Sequence, residues 1–406
     1  MDSYADVPYV GHPYARTHPD HLALLARLHG LCPADPDDCR VVELACGDGS
    51  NVIAMAAAST GVRVAGIDLE AGAIARGQAL AGELGLSDRV DLRVADLLDA
   101  PELGEADYVI CHGLYSWAPR AVADAALGLM AELLAPGGVG FLSYNLMPGW
   151  PVRRALGPAL QRRGDLAAAR ALFGGLEAPL AQREDPYGAL LAAERGRLAG
   201  LSDGLLFHDD LHPGTRAVWH ADVVAHADHH GLHVLRDAHP ATLQGSPPAD
   251  QELADLASGT PYREVALVPA TAAPAAQPTA DGVRTLLVAE ERRPVSGRRE
   301  AERLLKALRE GEADLHAAPA RFTLTPGERP LAFGLARLQA ARGNDVTTLR
   351  HTRLIINDDA GRAVLAACDG TRTRAQIATA ALSDDRRTDV IDVAVARLAA
   401  NALLLA

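Results

Sequence analysis

The segment from Arg40 to Asn145 alternates short apolar runs with helix-like runs, and this alternation constrains the fold more than any other feature. The short runs are "RVVELA", "RVAGID", "VDLRVAD", "ADYVIC" and "GGVGFLSYN", and segments such as "EAGAIARGQALAGEL" between them have helical spacing. Strands that alternate with helices form βαβ units, so the sequence predicts an α/β fold with a mainly parallel sheet. Ligands on such sheets bind beyond the carboxyl ends of the strands.

Three of these strands end in an acidic residue, namely Glu43, Asp68 and Asp96. A small-residue loop, "CGDG", and then a helix follow Glu43; glycine allows close backbone approach, and a helix N-terminus offers N–H donors. A carboxylate at Asp68 can accept two hydrogen bonds from a ribose diol, and Asp96 can accept one from an adenine amino group. Isolated buried carboxylates are costly, so the three acids indicate a ligand site rather than packing.

At these motifs the chain resembles the class I S-adenosylmethionine-dependent methyltransferases. The matches are "VELACGDG", Asp68, the pair "AD" that ends at Asp96, and "LLAPGGVGFLSYN"; Ala45 stands where the family usually has a glycine. The resemblance implies a Rossmann-like sheet and S-adenosylmethionine as cofactor, and a nucleotide-binding domain of similar topology is the alternative. The residues that it assigns to cofactor binding are Tyr14, His18, Glu43, Cys46, Gly47, Gly49, Asn51, Asp68, Leu69, Asp96, Leu97 and His112.

Longer segments resemble a narrower group, the bacterial methyltransferases that carry a methyltransferase regulatory domain. These segments include "YVGHPYARTHPDHLALLARLHGL", "CHGLYSWAP", "SYNLMPGW", "LFHDDLHPGTRAVWHADVVAHADHHGL" and "TLRHTRLIINDDAGRAVLAACDGTRTRAQI". Some proteins with this domain order methylate protein lysines, and others modify peptides. The resemblance therefore implies a peptide or protein acceptor.

The stretch "ICHGLYSWAPR" follows the fourth strand, where class I enzymes face the methyl group. Enzymes that methylate planar amide or base nitrogens often have Asn/Asp-Pro-Pro-Tyr here, and His112 replaces the Asn, which favours an aliphatic amine. An amine loses a proton before it attacks, and His112 or Tyr115 could accept it directly or through water. Tyr144 and Asn145 follow the next strand, so these four residues are the predicted catalytic group. Packing of Tyr115 against the next helix is the alternative.

The boundaries between domains are predicted from changes in composition. We expect a methyltransferase domain over residues 1–150, a helical insertion over 151–205, a regulatory-type domain with a linker over 206–297, and a smaller α+β, winged-helix-like domain over 298–406. The first helix, within "THPDHLALLARL", has Thr17 or Asp20 as its candidate cap. Core or capping roles are equally consistent with Thr17 and His18.

The histidines His226, His229, His230 and His233 have i, i+3, i+4, i+7 spacing on a predicted helix, which could bind a metal ion. The local sequence offers no carboxylate or cysteine pattern to complete such a site. A surface or packing role is therefore preferred, and no metal is predicted.

Charge and composition limit the partners. The formal net charge is −13, and residues 298–406 have 17 basic against 14 acidic side chains, which argues against nucleic acid as a partner and suits a cationic substrate. The N-terminus lacks the pattern of a signal peptide, no apolar run reaches membrane-spanning length, and the five cysteines are scattered, so we expect a cytoplasmic protein without membrane association. The sequence is also compatible with a homodimer.

The predicted function is methyl transfer from S-adenosylmethionine to a peptide or protein amine, either a lysine or an N-terminus. The enzymatic alternatives are a small-molecule N- or O-methyltransferase of natural products and a peptide carboxylate O-methyltransferase. A regulatory protein that senses S-adenosylmethionine is the non-enzymatic alternative.

Overall fold

A seven-stranded mixed sheet forms the centre of the computed structural model, which describes residues 11–99, 101–211, 214–239, 242, 250–290, 292–382 and 387–406. The strands are β1 (Arg40–Leu44), β2 (Arg63–Asp68), β3 (Val90–Val94), β4 (Ala106–Cys111), β5 (Leu134–Asn145), β6 (Leu232–Asp237) and β7 (Tyr262–Pro269). Their order is β3-β2-β1-β4-β5-β7-β6; the first five are parallel, and β7 is antiparallel to both of its neighbours. The predicted Rossmann-like α/β fold is confirmed.

Helices cover both faces of this sheet because its strands are apolar on both sides. They are α1 (Pro19–Leu28), α2 (Ser50–Ala58), α3 (Ala71–Glu83), α4 (Arg120–Leu133) and, after the insertion, α11 (His220–His229). Alternate residues of β1 separate the two cores: Val41 packs with α1 to α3, whereas Val42 packs with α4 and α11. These two faces are called the α1 face and the α4 face below.

The predicted helical insertion consists of short helices around a core of their own, which includes Leu160, Phe173 and Leu198. Its helices are α5 (Gly149–Arg153), α6 (Gly157–Gln161), α7 (Leu166–Gly175), α8 (Glu177–Ala181), α9 (Pro186–Ala199) and α10 (Asp203–Leu205), and a π-helical turn (Leu206–Leu211) ends it. The chain then returns to the sheet through α11. The predicted boundary at residue 206 is revised, because β6 and β7 complete the first sheet and do not form a separate domain. Their pairing partners lie on the other side of the insertion, so local composition does not reveal them.

The chain after β7 contributes to two different cores. Helix α12 (Gln251–Ser258) precedes β7. The elements that follow β7 are α13 (Ala280–Val283), β8 (Leu287–Val288), β9 (Arg293–Pro294), α14 (Gly297–Glu310), β10 (Leu315–His316), α15 (Gly334–Ala340), β11 (Asp345–Thr347), β12 (Arg353–Ile355), α16 (Asp359–Ala367), α17 (Arg374–Ala381) and α18 (Arg387–Ala400). Ala301, Leu304 and Leu308 of α14 pack into the core of the α1 face. The predicted start of the C-terminal domain at residue 298 is therefore too early.

The winged-helix domain has a separate core from Phe322 onward, with β11 and β12 as its antiparallel hairpin. Ala54 of α2 belongs to the same buried cluster as Phe333 and Leu335, so this domain packs directly on the helix that follows the glycine loop. Within the described residues, no helix combines the length and the apolar character that crossing a membrane requires.

The cap of α1 differs from the prediction. A 3₁₀ turn (Ala15–Thr17) precedes the helix, and the Nδ1 atom of His18 accepts a hydrogen bond from the Asp20 N–H at 3.2 Å. His18 is thus the cap, in place of Thr17 or Asp20. Asp20 instead accepts from the backbone N–H groups of Ala317 and Ala318, at 2.7 and 2.8 Å.

A buried ion pair holds β7 to the preceding helix α12, and its loss is expected to destabilise the sheet edge. The guanidinium of Arg263 donates to both carboxylate oxygens of Asp255 at 3.0 and 2.5 Å, and both residues are buried. The substitution Asp255→Ala removes the bidentate partner of a buried guanidinium that keeps its contact with Asp237, so we expect a loss of about 3 kcal/mol in urea-induced unfolding. The exposed pair of Arg298 and Glu302 provides the control, since Arg298→Ala should cost less than about 1 kcal/mol. Equal effects of the two changes would contradict this account.

Candidate functional site

The loop after β1 leaves open space at the carboxyl edge of the sheet. Ala45, Gly47 and Gly49 have φ angles of 58°, 57° and 70°, so the chain passes through three left-handed positions before α2 begins. A Cβ atom at Gly49 would lie 2.8 Å from Leu92, whereas one at Gly47 would meet nothing within 4 Å. Ala45 adopts the left-handed conformation that a glycine would take without strain. Open space beside Gly47 is what a ligand close to the backbone needs.

The carboxylates of Asp68 and Asp96 are fixed at the ends of β2 and β3 by backbone donors. Asp68 accepts from the N–H groups of Gly47 and Glu70 at 2.8 and 2.9 Å, one to each oxygen. Asp96 accepts from the Leu98 N–H at 2.9 Å. A carboxylate oxygen can accept a second hydrogen bond, so both residues keep capacity for a ligand.

Leu69, Leu97 and Cys46, all predicted to bind the cofactor, differ in how far their side chains are buried. Leu69 is 68% exposed beside Asp68, so its side chain is accessible for contact with a flat apolar ring. Leu97 is buried in the core of the α4 face, so its side chain packs there and its predicted cofactor contact would be made by its backbone. Cys46 also turns inward, because a Cβ atom at Gly66 would lie only 2.7 Å from its sulfur, and burial raises the pKa of its thiol. Cys46 therefore contributes backbone to the loop and its thiol to packing.

A buried hydrogen-bond network joins Glu43 to Asn51 in the first turn of α2. The Asn51 Oδ1 atom accepts from the Tyr14 backbone N–H at 3.0 Å, and since that group can only donate, it fixes the orientation of the amide. The Nδ2 atom then donates to Glu43 Oε1 at 2.9 Å and to Thr17 Oγ1 at 3.0 Å. Glu43 is thereby held at the end of β1, next to the glycine loop.

The second oxygen of Glu43 shows that the site fits a ligand with a hydrogen-bonding polar group. Oε2 is buried and has no hydrogen-bond partner in the described part of the chain, and such groups are rare in folded proteins. Burial, with Asp48 and Asp68 nearby, raises the pKa of Glu43 to about 8. A bound hydroxyl group can pair with this oxygen in either protonation state, whereas a bound ammonium group, as at the amino acid end of S-adenosylmethionine, would pair with the ionised form and lower the pKa of Glu43.

His351 of the winged-helix domain completes this network, and sequence analysis did not identify it. It lies in the turn between β11 and β12, and its Nε2 atom is 2.8 Å from Asn51 Oδ1. Because that oxygen is an acceptor, His351 is the donor, and burial lowers its pKa so that the ring is neutral. The separation of 300 residues leaves no local signal for this contact.

The N-terminal segment covers the loop and reaches the end of β4 through Tyr14. A Cβ atom at Gly11 would lie 2.3 Å from Asp48 Oδ1, so the segment passes very close to the loop. The rings of Tyr14 and His112 have centroids 3.8 Å apart. His18 instead packs near His351, with ring centroids 5.0 Å apart, and is one residue removed from the Thr17–Asn51 contact. His18 therefore lies at the contact between the methyltransferase and winged-helix domains, and not at the carboxyl ends of the strands.

His112 and Asn145 share the α1 face with a third residue, Tyr262. The Tyr262 hydroxyl lies 3.3 Å from His112 Nε2, and Tyr262 is the cross-strand partner of Asn145, so the side chains of that pair point to the same face. Asn145 is buried, and its Nδ2 atom has no hydrogen-bond partner among the described residues. This Nδ2 atom is a second buried polar group that a ligand could pair with. Tyr262 was not predicted, because only the antiparallel pairing of β5 and β7 brings it here.

Burial lowers the pKa of His112 to about 3. A group with so low a pKa is a poor proton acceptor near neutral pH, which revises the prediction that His112 takes the proton from an amine. The neutral ring can still position an acceptor by a hydrogen bond or by stacking.

Tyr115 and Tyr144 lie on the opposite side of the sheet from His112. Both belong to the core of the α4 face; the Tyr115 hydroxyl is 2.8 Å from His226 Nδ1, and that of Tyr144 is 2.7 Å from His220 Nδ1. The predicted group of four residues is therefore divided, and the alternative of packing accounts better for these two. Burial also raises the pKa of both phenols, which disfavours proton release.

A cavity of about 480 Å³ separates α1 from the winged-helix domain, and its charged groups are paired. Arg292 lies 3.0 Å from Asp20, and Arg321 is paired with Asp37. Its wall is therefore a polar domain interface, and the strand ends described above lie outside it.

Comparisons with known proteins agree with this architecture. Residues 41–138 match the family model described as a methyltransferase domain, and residues 328–402 match the one described as the PKMT C-terminal winged helix domain. The chain thus carries a methyltransferase domain of the S-adenosylmethionine-dependent class and a winged helix domain of the PKMT type. The class predicted from the strand-end motifs is confirmed for the first domain, and the predicted winged-helix-like domain is confirmed for the second.

The curated relatives have no assigned activity. The chain is 30% identical over 249 residues to the uncharacterized protein RP789 of Rickettsia prowazekii, a match that covers 59% of this chain and 45% of that protein. It is 28% identical over 218 residues to the uncharacterized protein RP028 of the same organism, covering 52% of this chain and 87% of that protein. The chain thus spans less than half the length of RP789.

A solved structure matches nearly the whole chain. PKMT2 from Rickettsia typhi superposes with a TM-score of 0.87 at 19% identity, over 98% of this chain and 100% of that chain. The complex of PKMT2 with AdoHcy superposes with a TM-score of 0.86. The winged-helix domain and the insertion therefore share the PKMT2 architecture as well as the sheet.

The raised pKa of Glu43 predicts a distinctive dependence of stability on pH. The folded state holds this proton up to about pH 8, whereas the unfolded chain releases it near pH 4.5, so the contribution of Glu43 to stability falls as pH rises through this interval. In Glu43→Gln this contribution is absent. We expect the melting temperature of the wild type, relative to that of Glu43→Gln, to decrease from pH 5 to pH 8. A melting-temperature difference between the two proteins that stays constant over this range would show that the pKa of Glu43 is not raised.

The link between His351 and Asn51 predicts that the winged-helix domain supports cofactor binding. Without the His351 donor, the Asn51 amide loses one of the contacts that orient it toward Glu43, so His351→Ala should weaken S-adenosylmethionine binding about tenfold in calorimetric titrations. Arg353→Ala, on the same hairpin but paired with Asp345, is the control and should bind normally. Equal affinities for both variants and the wild type would remove His351 from the site.

Proposed function

We propose that the protein transfers a methyl group from S-adenosylmethionine to an amine nitrogen of a peptide or protein, with lysine as the first candidate. The observation that carries this proposal is the buried, half-satisfied carboxylate of Glu43 beside the glycine loop. Gly47, Asp68 and Asp96 would hold the cofactor together with Glu43, and Leu69 would contact its base. When bound, S-adenosylmethionine supplies an electrophilic methyl group.

The residues around the acceptor are assigned from the α1 face. His112, Asn145 and Tyr262 lie at the ends of β4, β5 and β7, on the same side as Glu43. The Asn145 amide can donate to a carbonyl of the acceptor, and after a 180° flip its oxygen can accept from an amine. The three side chains would fix the nitrogen in line with the methyl group, which is the main requirement of such a displacement.

Charge favours an amine over a carboxylate as the acceptor. Outside residues 298–406 the chain has 22 basic and 38 acidic side chains, which would attract a cationic lysine and repel a carboxylate. On the α1 face, Glu264 of β7 is buried against Arg16 of the N-terminal segment, so the cover over the site is tied to the strand that carries Tyr262. The matched winged helix domain and the superposed structure both carry the name PKMT, which stands for protein lysine methyltransferase, and this name supports lysine as the acceptor.

Methylation of a protein panel with deuterated S-adenosylmethionine, read by peptide mass spectrometry, tests the proposal. We expect labelled methyl groups on lysine side chains, and none when the lysines have been chemically acetylated beforehand. Label only on N-termini would change the acceptor within the amine class. Base-labile label on carboxylates would contradict the amine, and cofactor binding without transfer to any protein or small-molecule acceptor would contradict the enzyme.

Substitutions at Asn145, Tyr262 and Tyr115, measured in the same assay, test which face of the sheet binds the acceptor. Asn145→Ala should lower kcat/KM by about tenfold, or roughly 1.4 kcal/mol, because it removes a hydrogen bond to the acceptor. Tyr262→Phe should lower kcat, whereas Tyr115→Phe, on the α4 face, should retain turnover within about threefold. A large loss for Tyr115→Phe together with none for Tyr262→Phe would place the acceptor on the α4 face.

A further inference from the structure

Three side chains converge on the rim of the α4 face, away from the strand ends. Asp124 lies on α4, His226 on α11, and His230 directly after α11. The Oδ1 atom of Asp124 is 2.9 Å from His226 Nε2 and 2.8 Å from His230 Nε2. Ligand atoms of all three lie within 4.8 Å of one another, although the two elements are far apart in sequence.

The packing of α4 against α11 fixes the positions of these side chains. Leu127 on α4 and Val223 and Ala227 on α11 are buried in one core, which holds the two helices in register. Gly128 lies one turn after Asp124, and a Cβ atom there would be 3.4 Å from His230 Nδ1. The imidazole of His230 therefore lies directly against this turn of α4, beside the carboxylate.

The orientation of His226 is set by a partner behind it. Its Nδ1 atom is 2.8 Å from the hydroxyl of Tyr115, which is buried, and the guanidinium of Arg216 lies 5.4 Å from the centre of the Tyr115 ring. This arrangement turns Nε2 toward Asp124. In metal sites a ligating histidine commonly has its other ring nitrogen held in this way by an oxygen.

We propose that Asp124, His226 and His230 form a site for a divalent transition-metal ion of the Zn²⁺ class. Two imidazole nitrogens and one carboxylate oxygen are ligands that Zn²⁺ prefers, and three protein ligands leave a fourth position for water. A bound ion would link α4 to α11 and, through His226 and Tyr115, to the segment that carries His112. This site is separate from the proposed methyl transfer, which needs no metal. The carboxylate that the local sequence does not offer is supplied by α4.

Cobalt titration of the full-length, chelator-treated protein tests this site, because Co²⁺ in a Zn²⁺ site has visible absorption bands. We expect one saturable site whose bands disappear when Zn²⁺ is added. Asp124→Asn, His226→Gln and His230→Gln should each weaken Co²⁺ binding at least about tenfold. His229→Gln is the matched control, since His229 is adjacent in sequence but outside the cluster, and it should bind normally.

Thermal unfolding with and without Zn²⁺ distinguishes a metal site from hydrogen bonds alone. Zn²⁺ should raise the melting temperature of the wild type and of His229→Gln, but not that of Asp124→Asn. The proposal is overturned if Co²⁺ binding to the wild type is no tighter than to the three variants, or if His229→Gln loses as much affinity as they do. It is also overturned if Asp124→Asn changes stability equally with and without Zn²⁺.

Discussion

The amide of Asn51 is the interaction on which the proposed site depends. Its oxygen accepts hydrogen bonds from Tyr14 of the N-terminal segment and His351 of the winged-helix domain. Its nitrogen donates to Glu43 at the end of β1. Because the amide is buried, each of these contacts lies in a medium of low polarity, where a hydrogen bond is strong and an unpaired polar group is costly. Three separate parts of the chain are therefore coupled to one side chain at the cofactor loop.

This coupling connects the winged-helix domain to the proposed cofactor site. In many proteins the hairpin of a winged helix contacts DNA, but here the turn between β11 and β12 is directed into its own chain at Asn51. The buried cluster that joins Ala54 of α2 to Phe333 fixes the domain against the same helix. The domain thus supports the helix that carries Asn51.

The sequence predicted those features that depend on neighbours along the chain. The acids at Glu43, Asp68 and Asp96 follow strands of clear apolar pattern, so their positions at one edge of the sheet could be inferred without the structure. Tyr262 and His351 could not be inferred, because each reaches the site through a pairing or packing contact between distant segments. Asp124 is a similar case: the histidines were recognised by their spacing, whereas their carboxylate comes from another helix.

The place of β7 in the sheet has a consequence for how the protein folds. Residues 146–261 separate Asn145 from its strand partner Tyr262. The proposed acceptor residues on the α1 face therefore come together only after a long loop has closed. Loop closure of this kind costs entropy before the paired strands return any free energy, and it slows folding. During synthesis, β5 remains an uncovered sheet edge until residue 269 has left the ribosome. The insertion packs around a core of its own, which can shorten that search by compacting the intervening chain.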